Sequence, residues 1–366
     1  MYIKTLSIKN FRNHTDTTIS PAPGINILVG ANAQGKTNLL EVLYLVCVGR
    51  GWRTNKDKEL INFAADTSTI KATAGKSYGN VEIEIKLAKN AKKAISINQI
   101  PIHKMSELLG QINCVFFSPD ELRLIKEAPT DRRRFMDIDI SQIDKAYFYA
   151  LVRYNKILAQ RNALLKSSSE DIIRGLEIWD AELAKHGAVV MARRQRFIEQ
   201  LKEYLEDAHQ KLTNGKEKIE ISYECKYLFI NNINQDSSAL EPILLESLKK
   251  SREKDMRLKT TTIGPHRDDI YLSINGQDVR AFASQGQQRT LALSLKLAEL
   301  ELFKIETGEA PIILLDDVFS ELDINRQTNL LNSLNGYQSL ITTNQIPQFE
   351  KMQNIAVFNI KKGKVL

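Results

Sequence analysis

One eight-residue stretch, Gly30 to Thr37, constrains the fold of this chain more than any other feature. It matches the phosphate-binding loop pattern G-x-x-x-x-G-K-[ST], which needs a strand before it and a helix behind it. The mostly apolar run 25–29 precedes the loop, and a helical pattern follows it and stops at Gly49. A chance match of the four fixed positions is expected in roughly one random chain of this length in a hundred. The correct flanking elements make a chance match rarer still.

The sequence therefore predicts that this loop binds the phosphates of a nucleotide. Its glycines let backbone N–H groups turn towards phosphate oxygens, and the helix N-terminus adds a favourable dipole. Lys36 is expected to reach the β- and γ-phosphates, and the Thr37 hydroxyl to hold Mg²⁺. ATP and Mg²⁺ are the predicted cofactors. The predicted ATP-binding residues are Gly30, Ala31, Asn32, Ala33, Gln34, Gly35, Lys36 and Thr37.

Composition restricts the compartment and the class of partner. The 366 residues carry 51 Lys and Arg against 44 Asp and Glu, a net charge of +7, which permits nucleic acid as a partner without requiring it. No run approaches the length of a membrane span, and no signal-peptide pattern is present. The three cysteines lack metal-ligand spacing and are interpreted as buried thiols in a reducing compartment. We expect a cytoplasmic protein without a membrane partner.

The chain changes character twice. Strands predominate up to about residue 128, apolar residues recur at helical spacing from 129 to 260, and strand patterns return from 261 onward. We predict an ATPase domain made of 1–128 and 261–366, interrupted by a compact, mostly helical insertion domain at 129–260. The fold class is α/β with mixed sheets. The insertion is far too short for a long coiled-coil arm.

A second motif is expected to complete the nucleotide site. The apolar strand 312–315 ends in Asp316 and Asp317, the Walker B arrangement that delivers carboxylates to the carboxyl edge of a sheet. Asp316 is predicted to lie in the Mg²⁺ shell and Asp317 to act as general base. The alternative is a strand that simply ends at an acidic surface turn. Because 280 positions separate residues 36 and 316, the helical segment must interrupt the ATPase domain.

The stretch 283–289 resembles the ABC-type signature motif, normally Leu-Ser-Gly-Gly-Gln, and stands directly before a predicted helix. Ser284 occupies the N-cap position, and Gly286 opens the backbone to an anion. By analogy, Ser284, Gly286 and Gln287 contact the γ-phosphate of ATP bound by another subunit. Two ATP molecules would then lie between two head-to-tail subunits. Read alone, the glutamine-rich turn is equally well explained as a helix cap.

Together, these motifs resemble the RecF family of bacterial recombination mediators, which is related to the SMC heads. Three further stretches carry the resemblance over nearly the whole chain, namely 8–13, 132–135 and 264–269. The resemblance implies an ABC/SMC-like P-loop ATPase head that binds DNA, both single-stranded and duplex, and gap junctions. It implies an ATP-dependent homodimer and a weak, DNA-stimulated ATPase whose slow hydrolysis releases DNA.

The same resemblance implies a biological setting. The family acts in recombinational repair of single-strand gaps, in replication restart and in SOS induction. Its implied partners are the mediator proteins RecR and RecO, and its implied place is the nucleoid. By analogy with related heads, Arg12 is a candidate contact to nucleotide phosphate.

Two departures from the ABC-type pattern concern hydrolysis. The Q-loop glutamine is not evident after Phe117, where the sequence continues Ser118-Pro119-Asp120. At the switch-histidine position, the sequence reads Thr342-Thr343-Asn344. Hydrolysis is therefore expected to be slow or differently gated.

Contacts to DNA are less specific in the sequence. Arg132, Arg133 and Arg134 are candidate phosphate contacts, whose neutralisation would make affinity fall with salt. A solvated helix face, or a brace between the ATPase and helical segments, explains the same triplet. His266, in a Gly-Pro-His-Arg turn, is either functional or structural.

Two other functions share some of these motifs. One is the ATPase subunit of an ABC transporter, which the split fold, the helical insertion and the missing glutamine and histidine disfavour. The other is a structural, SMC-like chromosome organiser, which the short insertion disfavours.

Overall fold

The computed structural model describes residues 1–119, 122–167, 172–225, 236–322, 324–345 and 355–366. The strands are β1 Tyr2–Phe11, β2 His14–Ile19, β3 Ile25–Val29, β4 Thr67–Lys76, β5 Gly79–Ala88, β6 Ala91–Ile97, β7 Ile100–Ile102, β8 Cys114–Phe117, β9 Ile219–Glu224, β10 Asp269–Ile274, β11 Gln277–Asp278, β12 Ile312–Asp316, β13 Ser339–Thr343, β14 Ile355–Lys361 and β15 Lys364–Val365. The helices are α1 Lys36–Val48, α2 Met105–Leu108, α3 Leu122–Lys126, α4 Pro129–Ile143, α5 Lys145–Leu164, α6 Ile172–Thr213, α7 Ser237–Leu258, α8 Val279–Phe282, α9 Gln285–Thr307 and α10 Ile324–Ser333.

The chain forms two compact units. The first comprises Met1–Glu121 with Lys296–Leu366, and the second comprises Leu122–Leu295. These divisions lie seven residues before the predicted boundary at 128 and 35 residues after the one at 260. The second difference has a physical cause. Strand β10 pairs with β9 along its whole length, so the segment after residue 260 joins the sheet of the helical unit.

The first unit contains two six-stranded sheets. One is antiparallel, with the order β2-β1-β4-β5-β6-β7, and the other has the order β15-β14-β3-β13-β12-β8. In the second sheet, all strands except β15 are parallel to their neighbours. Ligands of such sheets bind at the carboxyl ends of the strands. Because β13 lies between β3 and β12, the ends of these three strands meet.

Helix α1 is enclosed on almost every side. A helix without a polar stripe is stable only when surrounded by other elements, because each exposed apolar face would cost free energy. It ends at Gly49, where φ is 76°, a left-handed value that glycine adopts without strain. This is the residue at which the sequence predicts the end of the helix. Its completely buried apolar side chains include Leu39, Leu40, Val42, Leu43, Leu45 and Val46.

One buried glutamine ties the two sheets of the first unit together. Gln338 Oε1 accepts a hydrogen bond from the Ile3 N–H at 2.6 Å. Its Nε2 donates to the carbonyl oxygens of Ile3 at 3.0 Å and Ala22 at 2.8 Å. Ile3 belongs to β1, and Gln338 immediately precedes β13. The amide therefore links β1 to the start of β13 and satisfies buried backbone groups of Ile3 and Ala22, which would be costly to leave unpaired.

The second unit is mainly helical, with α4, α5, α6 and α7 as its long helices and the sheet β11-β10-β9 beside them. The Asn275-Gly276 turn joins β10 to β11 in a hairpin, and its φ values of 51° and 78° are the left-handed ones that a two-residue turn of this type requires. Arg161 lies at the centre of the helices and is fully buried. It donates to Asp180 and Asp255, each at 2.7 Å, and thereby links α5, α6 and α7.

The three cysteines are reduced, with Cys47 and Cys114 buried and Cys225 partly exposed. None of the helices in the described ranges has both the length and the apolar character needed to cross a bilayer.

Candidate active site

The phosphate loop is supported from behind by the β14–β15 hairpin. The Gln34 carbonyl accepts from the Gly363 N–H at 2.9 Å, and Gln34 Oε1 accepts from the Lys362 N–H at 2.7 Å. At Gly30, an added Cβ would lie only 2.4 Å from the Ile360 carbonyl oxygen. The first glycine of the motif is thus required by the close approach of another backbone segment.

The Lys36 ammonium lies inside this loop. Its Nζ donates to the carbonyl oxygens of Gly30 at 2.5 Å and Ala31 at 3.0 Å, and to Asn344 Oδ1 at 2.9 Å. Burial lowers the pKa of Lys36, and the two Walker B carboxylates oppose this shift. The ammonium is therefore held between the loop and the end of β13, where nucleotide phosphates are expected.

Two hydroxyls converge on the first Walker B carboxylate. Asp316 Oδ1 accepts from Thr37 Oγ1 at 2.7 Å and from Thr342 Oγ1 at 2.8 Å. Oxygen donors of this kind suit Mg²⁺, which takes one or two protein ligands and completes its shell with phosphates and water. Thr37 and Asp316 therefore fit the predicted Mg²⁺. A site of this type needs no larger ligand cluster, and the described residues contain no group of three His, Cys, Asp or Glu that could hold a metal.

The second Walker B carboxylate occupies an unusual backbone conformation. Asp317 has a φ of 53°, in the left-handed region, and its N–H donates to Thr342 Oγ1 at 2.9 Å. Such residues cost of order 1 kcal/mol and cluster at functional sites. The turn brings Asp317 into the lining of the pocket that holds Lys36. This position is consistent with the predicted role as general base.

The residues around this pocket of about 190 Å³ include several without an assigned role in the sequence prediction. Arg53 Nη2 lies 3.8 Å from Asp316 Oδ2. Thr342 and Asn344 entered the prediction only as substitutes for the switch histidine. The position of these two residues in the pocket follows from the strand order, because β13 ends between the phosphate loop and Asp316. The full lining is Asn32, Ala33, Gln34, Gly35, Lys36, Thr37, Asn38, Arg53, Asp317, Thr342 and Asn344.

Arg12, the candidate contact to nucleotide phosphate, forms an ion pair with a glutamate of α1. Its Nε and Nη2 donate to the two carboxylate oxygens of Glu41 at 3.0 and 3.1 Å, and Nη1 donates to the Glu59 carbonyl at 2.9 Å. Glu41 is a fully buried residue of α1. Since an unpaired buried carboxylate is costly, Arg12 is committed to this ion pair. The predicted contact to nucleotide phosphate stays a prediction.

The signature stretch forms a reciprocal cap at the start of α9. The Ser284 N–H donates to Gln287 Oε1 at 2.9 Å, and the Gln287 N–H donates to Ser284 Oγ at 3.3 Å. This is the capping-box arrangement. At Gly286, an added Cβ would meet only Ser284 Oγ, at 4.0 Å. The chain itself thus gives no steric reason for this glycine, and its contact to a γ-phosphate stays a prediction.

The arginine triplet does not form one surface. Arg132 is buried, and its Nε and Nη2 donate to the two carboxylate oxygens of Asp269 at 2.6 and 3.0 Å. Arg133 is partly buried and donates to the Asp268 carbonyl at 2.7 Å. Only Arg134 of the three is exposed. Arg132 therefore cannot contact DNA in this arrangement, and it acts as a brace within the second unit.

His266 is also part of the internal hydrogen bonding of the second unit. Its Nδ1 pairs with the Tyr154 hydroxyl at 2.6 Å, and its Nε2 pairs with the Thr261 carbonyl at 3.0 Å. A neutral imidazole satisfies both contacts, with the hydroxyl donating to Nδ1 and Nε2–H donating to the carbonyl. Burial lowers the pKa of His266 to about 4. Of the two interpretations of this histidine, the structure favours the structural one.

This histidine is expected to make the fold less stable in acid. Its pKa is about 4 in the folded chain and 6.5 ordinarily. Between these values the unfolded chain binds a proton that the folded chain does not. The free energy of unfolding therefore falls as pH decreases from 6.5 to 4, by up to about 3 kcal/mol. Urea unfolding followed by circular dichroism at several pH values should show a smaller decrease for His266→Gln.

The exposed His103 provides the matched control, since His103→Gln should keep the wild-type pH dependence. An equal pH dependence in wild type and His266→Gln would contradict the assignment.

The chain is similar to known proteins over nearly its whole length. The family model described as RecF/RecN/SMC N terminal domain matches residues 2–365. The DNA replication and repair protein RecF of Clostridium botulinum (strain ATCC 19397 / Type A) is 43% identical over 368 residues, covering 100% of this chain and 99% of that protein. RecF of Alkaliphilus oremlandii (strain OhILAs) is 44% identical over 367 residues, covering 100% of both.

Solved structures agree with these relatives. The structure of the recombination mediator protein RecF-ATPrS in RecFOR pathway matches with a TM-score of 0.92 and 38% identity, covering 100% of this chain and 97% of that one. The Smc head bound to the C-winged helix domain of ScpA matches with a TM-score of 0.57 and 16% identity, covering 100% and 97%, and shows the fold alone. The predicted SMC-like ATPase head is thereby confirmed. Because the family model and full-length relatives both match it, the chain belongs to the RecF family.

Proposed function

We propose that this chain is an ATP-dependent DNA-binding clamp in recombinational repair of single-strand gaps, replication restart and SOS induction. One observation carries the proposal: Lys36, Thr37, Asp316 and Asp317 converge at the carboxyl edge of one parallel sheet. Relatives named as DNA replication and repair proteins supply the setting. A structure named RecF-ATP in RecFOR pathway supports ATP as the ligand. RecR and RecO are the proposed partners, and the nucleoid in the cytoplasm is the proposed location.

Binding begins at the phosphate loop. Lys36 exchanges its bonds to the loop carbonyls for bonds to the β- and γ-phosphates, whose charge it neutralises. Mg²⁺, when held by Thr37 and Asp316, stabilises charge on the phosphate oxygens. Ser284, Gly286 and Gln287 of a second copy then contact the γ-phosphate, so that ATP joins two subunits. DNA binds to this dimer.

Hydrolysis ends the bound state. The Asp317 carboxylate takes a proton from water while the water oxygen attacks the γ-phosphorus and ADP leaves. Asn344 stands where ABC-type ATPases carry a histidine, and its amide cannot accept or release a proton in catalysis. Turnover is therefore slow, and loss of the γ-phosphate releases the dimer and the DNA. The weak ATPase activity therefore sets how long the dimer stays bound to DNA.

A DNA titration tests this function. Anisotropy of labelled gapped and intact duplexes is measured with and without ATP at several salt concentrations. ATP should raise DNA affinity, and the affinity should fall steeply with salt because phosphate contacts release counterions. DNA binding that ignores ATP would contradict the clamp. The ratio of the affinities for gapped and intact duplexes measures which DNA structure the clamp prefers.

Two neighbouring arginines give a matched pair for the DNA contacts. Arg134→Ala should weaken DNA binding and lower the salt slope by about one per lost phosphate contact, with little effect on stability. Arg132→Ala removes the bidentate partner of buried Asp269, which keeps a longer contact to Arg280 at 3.3 Å, and should lower the free energy of unfolding by about 1–3 kcal/mol. DNA anisotropy and urea denaturation separate the two effects. An unchanged affinity and salt slope in Arg134→Ala would remove this residue from the DNA surface.

A further inference from the structure

The side-chain amide of Gln287 is held at both ends. Its Oε1 accepts from the Ser284 N–H at 2.9 Å, and its Nε2 donates to Glu217 Oε1 at 3.0 Å. A carboxylate only accepts hydrogen bonds, so the nitrogen of the amide must face Glu217. Gln287 of the signature motif is thus oriented by Glu217, which lies outside that motif.

Glu217 is in turn held by a buried histidine. Its other oxygen, Oε2, lies 3.1 Å from His209 Nε2. His209 is completely buried, and its Nδ1 lies 2.9 Å from Ser294 Oγ. The serine hydroxyl also has the Thr290 carbonyl within reach, at 2.8 Å. It can therefore donate to a neutral imidazole or accept from a charged one. In both states Nε2–H donates to Glu217, so the link does not depend on the protonation of His209.

These residues connect distant parts of the second unit. His209 lies near the end of the 42-residue helix α6, and Glu217 lies in the turn that follows it. Asn214 and Gly215, with φ of 54° and 70°, reverse the chain after α6 and bring Glu217 back beside the helix end. Gln287 and Ser294 both belong to α9. The contacts therefore run from the end of α6 to the start of α9.

We propose that Glu217 and His209 are positioning residues that couple helix α6 to the signature motif. The proposal rests on the proposed function, in which Gln287 contacts the γ-phosphate bound by a second copy. Glu217 holds the Gln287 amide in one orientation and removes the rotamer freedom that would otherwise be lost on dimerisation. A shift of the α6 end would withdraw Glu217 and release this amide. Conversely, nucleotide-dependent closure on Gln287 favours the arrangement of α6 seen here.

Dimerisation affinity measures this coupling. Sedimentation equilibrium with a slowly hydrolysed ATP analogue is compared for wild type, Glu217→Ala, Gln287→Ala and the double variant. Each single variant should weaken the dimer by about tenfold, as expected when hydrogen bonds at the two interfacial sites are lost or loosened. The double variant should be no weaker than Gln287→Ala, because Glu217 acts through Gln287. Additive losses would overturn the coupling.

Two further variants exclude a general structural effect. Glu217→Gln keeps an oxygen that accepts from Gln287 Nε2 and should restore most of the affinity lost in Glu217→Ala. Glu220→Ala removes an exposed glutamate on β9, which pairs with the exposed Lys218, and should leave dimerisation unchanged. A loss in Glu217→Gln as large as in Glu217→Ala would overturn the positioning role.

The same data separate this inference from the function on which it depends. If the wild type does not dimerise with nucleotide, or Gln287→Ala dimerises normally, the proposed function fails. If Gln287→Ala weakens the dimer and Glu217→Ala does not, only the positioning role fails.

Discussion

Lys36→Ala is expected to lose ATP binding and, with it, every ATP-dependent property of the chain. The ammonium is the positive charge inside the loop, and it is aligned by Gly30, Ala31 and Asn344. Charge-assisted bonds to phosphate are about twice as strong as neutral ones. Their loss should weaken ATP affinity by about 100-fold or more. A fluorescent ATP analogue measures binding, and sedimentation velocity and DNA anisotropy measure dimerisation and DNA binding.

The exposed Lys58 lies in the same unit, and Lys58→Ala should behave as wild type in all three measurements. Circular dichroism verifies that Lys36→Ala remains folded. Should Lys36→Ala bind DNA with an unchanged response to ATP, the nucleotide switch is wrong.

Asp317→Asn is expected to trap an ATP-bound dimer that releases DNA very slowly. The carboxamide has the size of the carboxylate but cannot take a proton from the attacking water. Asparagine also tolerates the left-handed φ of 53°, and the backbone N–H to Thr342 is kept. The only expected defect is therefore slower hydrolysis of ATP. Loss of a general base typically lowers the rate by about 10²–10⁴-fold.

Single-turnover hydrolysis and the lifetime of the dimer after dilution measure this defect. Asp16, an exposed residue of the first unit, supplies the control variant Asp16→Asn. Asp316→Asn should differ from both, because it removes a Mg²⁺ ligand and weakens the response to Mg²⁺. Rapid turnover in Asp317→Asn would exclude Asp317 as the base.

Local signals predicted the elements well. The apolar run 25–29 is β3, and the run before the two Walker B acids is β12. The predicted start of one helix was wrong. The sequence predicts a helix from Pro242 to about Arg257, whereas α7 starts at Ser237. Pro242 is thus the sixth residue of α7, beyond the first four N–H groups that lack a helical partner, and the Ser238 carbonyl receives no i→i−4 hydrogen bond from it.

Ion pairs between residues far apart in sequence could not be predicted where no motif connects the two partners. Arg12 carries no sign that its partner is Glu41, and Arg132 none that its partner is Asp269. An isolated arginine in a sequence fits a phosphate and a buried carboxylate equally well. The choice depends on which strands and helices become neighbours, and the strand order β3-β13-β12 is a property of the whole fold. The motifs identify the chemistry, and long-range packing assigns the partners.

The support of the phosphate loop by the β14–β15 hairpin has a consequence for synthesis of the protein. Gln34 and Lys362 are bonded across 328 positions of sequence. A growing chain on the ribosome therefore contains the loop residues long before it contains the hairpin that shapes them. Contacts of such high sequence separation form late in folding. ATP competence should accordingly arise only after residue 362 has been translated, so a nascent chain that lacks the hairpin should not bind ATP.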